Sequence, residues 1–273
     1  MAYTVKTFVA DTAESGSSDK RLSISLKTNG FSFTVFAGEN HLLTYCDVET
    51  ENDGTISSLS SDIKKLFTDK KLMIFGYSSA EVVACADLAS WLPEHLYEKG
   101  RERQYLSMVG KVRDGYTCYS DYCELLKSYI VFSADSTAVS AFKITFPGIK
   151  VRCQYSKLVV PEFVRQTEPV LLLNLRSGFC DIVASFGGQL HISNSYASAS
   201  VGDAMYKALN VMKSLSMESP DLTLWLCGDV DRDTFALFAK YFPHVRLYTG
   251  QPFTCQNDNL RNIHTYRDIL VFG

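Results

Sequence analysis

The chain has 273 residues, enough for two domains of ordinary size, and 46% hydrophobic residues supply a core for each. A formal net charge of -3 gives no general attraction to nucleic acid or to anionic membranes. Eight cysteines stand at 46, 85, 118, 123, 153, 180, 227 and 255, with no Cys-x-x-Cys pair and no histidine at metal-ligand spacing, and most lie in apolar strand-like runs. A reduced, cytoplasmic protein is expected.

Met1 to Lys20 lacks the continuous apolar stretch of a signal peptide, and no run reaches the ~18 apolar residues of a membrane span. Residues 1–20, polar and small over Ala13 to Lys20, are expected to form a mobile leader. From Leu22 to Tyr45 the pattern is a meander: Phe31, Phe33 and Val35 alternate to one side, Gly38 to Asn40 turn the chain, and His41 to Tyr45 return. Ile56, Leu59, Ile63, Leu66 and Phe67 form the apolar stripe of a helix over Thr55 to Thr68. Lys71 to Tyr77 and Glu81 to Ala86 are predicted as short strands. Ser90 to Val109 is predicted as a helix opening near Pro93, with Glu98 to Arg103 on a wet face and Trp91 to Pro93 a buried aromatic anchor in preference to an exposed partner contact. Gly115 to Ser120 and Tyr129 to Ser133 follow as strands. Asp135 is placed to cap a helix carrying Val139, Phe142 and Phe146, which Pro147-Gly148 ends.

A polar bridge, Arg165 to Pro169, leads into a second meander, Leu171 to Tyr196, turned at Gly187-Gly188. Val201, Ala204, Met205, Ala208, Leu209, Met212 and Leu215 define the clearest helix, Ser200 to Ser216, in which both methionines are core filler. Leu222 to Cys227 is a strand closed by Gly228-Asp229. Asp231 or Asp233 starts a helix with Phe235, Phe238 and Phe242 that Pro243 stops, and Val245 to Tyr248 is a last strand. The polar tail from Asn257 and the apolar Ile269 to Phe272 have no assigned packing.

The two meanders repeat one another. Leu26-Lys27-Thr28 matches Leu175-Arg176-Ser177, and Gly30-Phe31 matches Gly178-Phe179 after a one-residue gap. Each half reads as three antiparallel strands, helix, strand, helix, strand, so a duplicated α/β architecture with mixed five-stranded sheets flanked by helices is expected. The predicted division is a leader over 1–20, an N-terminal half over 21–164 and a C-terminal half over 165–273.

This doubled order resembles the ribonuclease-H-like repeat of the superfamily of actin, heat-shock chaperones and sugar kinases. Within that superfamily it resembles the actin-like proteins of bacterial pilus and type II secretion assembly, and a Bacteroidetes family of unknown function with the actin-like ATPase fold. The resemblance spans Arg21 to Tyr248. It implies a nucleotide cleft between the halves, an Asp-x-Gly ending the first strand of each half, a Gly-Gly-Asp before the first helix of the second half, and a Gly-Gly near the adenosine. At these positions the sequence has Ser25 and Lys27 in the first half and Asn174 and Arg176 in the second, with Gly178 in the following turn. Gly202-Asp203 keeps the end of the Gly-Gly-Asp behind Val201, and Gly228 keeps the first adenosine-loop glycine while Asp229 replaces the second.

An amide or hydroxyl carries no charge for magnesium, and a long basic side chain in place of glycine blocks backbone approach to phosphate. No catalytic residue, metal ligand or resident cofactor is therefore expected, and ATP hydrolysis is not expected. The leading expectation is a non-catalytic interaction or scaffold module with a protein partner, no nucleic acid, no membrane insertion, and homo-oligomerisation left open. The alternative is a divergent nucleotide- or phosphometabolite-binding protein, ATPase-like or kinase-like, in which Lys27 and Arg176 converge on an anion and ATP with magnesium is bound. Ribonuclease-H-type chemistry lacks its first-strand acid in both halves, and Asp181 is read as a strand-face charge. Gly-x-Ser-x-Gly is absent, and His191 and His244 are read as structural.

Overall fold

The computed structural model describes residues 3–10, 19–27, 30–50, 60–74 and 76–272. Residues 1–2 and 11–18 of the expected leader, and Ile56 and Leu59 of the first expected helix, lie outside the described residues. The chain divides into two compact units, Met1–Gln154 with Pro252–Ile263, and Tyr155–Gln251 with His264–Gly273. The boundary thus falls before the expected one after Val164. The cause is local: Phe163 is buried against Trp225 and Tyr248, and its carbonyl accepts from Ser185 Oγ at 2.9 Å, so residues 155–164 pack with the second unit.

In the first unit the strands are β1 (Tyr3–Ala10), β2 (Lys20–Lys27), β3 (Gly30–Ala37), β4 (His41–Thr50), β5 (Ser79–Ala84) and, after an insertion, β9 (Lys150–Cys153). They form one sheet in the order β1-β4-β3-β2-β5-β9, antiparallel through the meander and parallel from β2 to β9. The sheet has six strands rather than five because residues 3–10, expected in the leader, pair along β4. Their alternation is weak, with only partial burial, which is the pattern of an edge strand.

Helices α1 (Ser60–Asp69) and α3 (Ser136–Thr145) supply aromatic packing for this sheet. Phe33 meets Phe67 at 4.6 Å, Phe31 meets Phe142 edge-on at 5.1 Å, and Phe67 meets Phe146 at 4.8 Å. Each such buried side chain contributes roughly 1.5–3 kcal/mol relative to exposure. Asp135 caps α3 as expected, accepting from the N–H groups of Thr137 and Ala138 at 2.8 and 3.0 Å.

Two predicted elements, one strand and one helix, are corrected. Leu72–Ile74 form a 3-10 turn, because Lys71 closes α1 at φ 57° and Tyr77 O–H donates to the Leu72 carbonyl; the strand is β5, beginning at Ser79. The predicted helix over 90–109 is mostly something else. Trp91 and Leu92 pair with Ile130 and Tyr129, so Ala89–Pro93 is β6; Glu94–Leu96 form a 3-10 turn, and Glu102–Ser107 is the α-helical part, α2. β6 joins β7 (Tyr116–Cys123) and β8 (Ser128–Asp135) in a separate sheet ordered β6-β8-β7, inserted between β5 and α3.

The second unit begins with two short helices, α4 (Tyr155–Leu158) and α5 (Pro161–Val164). Its sheet is built from β10 (Val170–Arg176), β11 (Phe179–Phe186), β12 (Gln189–Ala197), β13 (Thr223–Gly228) and β14 (His244–Leu247), with α6 (Val201–Ser214) and α7 (Arg232–Phe238) between the later strands. The order β12-β11-β10-β13-β14 reproduces β4-β3-β2-β5-β9. Ala204, Ala208 and Val211 on α6 close over Leu171, Leu173, Ile182 and Leu226, so the expected stripe is the core face.

The tail serves both units in turn. Thr254 exchanges backbone bonds with Asn40 and Leu42, and α8 (Asp258–Arg261) buries Leu260 in the first unit. The chain then returns, and α9 (Ile269–Phe272) buries four consecutive apolar side chains in the second. Among the described residues no helix is long and apolar enough to cross a membrane.

Candidate functional site

The end of β10 carries Asn174 and Arg176, and the cross-strand partner of Asn174 on β11 is Asp181, which in turn faces Ser195 on β12. Asp181 has no exposed surface. Its two carboxylate oxygens accept four hydrogen bonds: Arg176 Nε and Asn174 Nδ2 donate to Oδ2 at 2.7 and 2.8 Å, while Arg176 Nη2 at 2.7 Å and Ser195 Oγ donate to Oδ1. Tyr155 O–H lies 2.9 Å from Ser195 Oγ and extends the chain of polar contacts. The guanidinium also stands 5.4 Å over the Phe179 ring. A buried carboxylate needs such a set, since an unpaired charge in an apolar strand is expensive.

Cys227, on β13, places Sγ 3.6 Å from Asn174 Oδ1. Burial first, and the Asp181 charge second, push its thiol well above the ordinary range. Burial and Asp181 also raise Cys180 to about 11 against the lowering influence of Arg176 and Lys207. Neither thiol is a nucleophile in this setting.

The remaining residues of the candidate set in this unit have local structural roles. Gly228 sits at φ 84°, where an added Cβ would stand 1.9 Å from the Leu175 carbonyl oxygen and 2.8 Å from Asn174 Oδ1. Only glycine fits this close approach. The next residue, Asp229, is exposed and its N–H donates to Leu175 O at 2.9 Å. Ser200 and Asp203 form a reciprocal cap on α6: Ser200 Oγ accepts from Asp203 N at 3.1 Å, and Asp203 Oδ2 accepts from Ala199 N at 3.2 Å. Gly202 lies exposed in that first turn. Gly178 makes the hairpin turn at φ 78°.

Ser25 and Lys27 occupy the same places on β2 of the first unit. There the row runs Ser25, Ser32 on β3, Asp47 on β4, and Lys27 Nζ bonds Asp47 at 2.7 Å. Position for position, hydroxyl and acid have changed strands: the acid is on the third strand in the first unit and on the second strand in the second. Ser32 Oγ, fully buried, has no hydrogen-bond partner among the described residues. Both basic side chains, each considered as an anion ligand from sequence, are bonded to an acid within their own sheets.

Asp47 and Ser195 are residues that the sequence reading did not assign, and Asp181, read there as a strand-face charge, is instead fully buried among donors. The signal existed for Asp181: a single acid inside the apolar run FCDIVASF has to find a donor, and the hairpin register supplies two from the strand before it. Among the described residues no group of three or more His, Cys, Asp and Glu side chains stands together to hold a metal ion.

The doubled strand order, with the polar rows at the ends of β2 and β10, defines an actin-like ATPase fold made of two ribonuclease-H-like units. A Bacteroides thetaiotaomicron VPI-5482 protein described as having an actin-like ATPase fold and unknown function superposes with a TM-score of 0.73 at 18% identity, over 93% of this chain and 96% of its own. The PilM-PilN type IV pilus biogenesis complex contains a chain that superposes at 0.55 and 12% identity, over 92% of this chain and 95% of its own. No curated protein matches the sequence. The chain belongs to the DUF3822 family, described as proteins of unknown function, whose profile matches residues 11–245.

Proposed function

We propose that this protein is a catalytically silent member of the actin-like class, a cytoplasmic bacterial interaction or scaffold module that arose by internal duplication. The observation that carries the reading is the closure of the polar row around Asp181, where one carboxylate takes four donors and Arg176 is spent on it. A magnesium-bound triphosphate needs an acid with lone pairs available to the metal's water shell and backbone N–H groups open to phosphate. Here the neutral amide of Asn174 stands at the acid's position, and the Arg176–Asp181 pair offers a phosphate no net charge. This donor set does not fit the nucleotide.

The residues that do match the family pattern support the same reading, because each has a reason that requires no ligand. Gly228 is demanded by the approach of Leu175, and Asp203 by the cap of α6. The pilus neighbour is described as a complex of two proteins, which agrees with a partner-binding role for the frame.

Isothermal titration of the whole chain with ATP and with ADP, each with and without magnesium, tests the proposal. Absence of binding heat from a protein that melts cooperatively is the expected result. Saturable, magnesium-dependent binding, or turnover of ATP above that of an N174A control, would replace it with a divergent nucleotide- or phosphometabolite-binding protein.

A further inference from the structure

We draw no further inference here: the strongest candidate, the cavity of about 340 Å³ that Tyr77, Ser79, Phe146 and Lys150 line where β5 and β9 begin in the first unit, carries nothing, because Lys150 stands opposite Glu81 in the strand register and nothing in the structure shows what would fill the cavity.

Discussion

Asp181 shares its strand with Cys180 and Ile182, both fully buried, and it tolerates that company only because Arg176, Asn174 and Ser195 surround it with donors. Replacing Asp181 with Asn leaves a guanidinium that is 16% exposed without its counter-charge, and the expected loss is about 3–5 kcal/mol in urea unfolding. The pair R176M/D181L removes both charges together and is expected to recover most of that loss, which distinguishes a buried ion pair from a simple packing defect. The cysteines make a separate prediction about pH. Burial lifts Cys46 from 9.0 to about 12 and Cys180 to about 11, so below pH 9 both thiols are protonated in either state and their contribution to stability is complete. Above pH 9 the unfolded chain releases protons that the folded chain keeps, and stability falls as pH climbs toward the folded values. Melting temperatures measured from pH 8 to 11 are expected to decline, less steeply in C46A/C180A, and native thiols at both positions are expected to resist alkylation at pH 8.

Helix α3 was readable in advance because its signals are local: an aspartate at the cap, an apolar stripe, and Pro147-Gly148 beyond its end. Removing the cap in D135A frees two backbone N–H groups and is expected to cost about 1 kcal/mol by chemical denaturation, while D135S retains most of the stability. Elements whose identity depends on distant partners were not readable in the same way. Trp91-Leu92 is a short apolar run that suits a helix or a strand, and only its pairing with Tyr129 and Ile130 decides. Tyr3–Ala10 has edge-strand alternation too shallow to stand out, and β4 is what holds it in place. The same limit applies to the candidate site, where Asn174 and Arg176 could be placed from the repeat but their bonds to Asp181 and Ser195 follow from a three-strand register.

At the level of the whole chain, both units use one strand order, and the first adds β1 and the inserted sheet to it. The doubled order was legible because each half repeats its meander, helix and strand signals, whereas the tail was not, because Asn257 to Phe272 has no periodicity and its packing is set by two different surfaces. A chain ended at Gln251 loses Leu260 from the first unit and Ile269–Phe272 from the second. Limited proteolysis is therefore expected to cut both units of that truncated chain faster than in the full one, and its melt to come at lower temperature. The same threading sets the timetable of synthesis. A ribosome releases the N-terminal strands first, yet neither unit has its full complement of residues until 252–272 have emerged, so neither core can close before that segment is made.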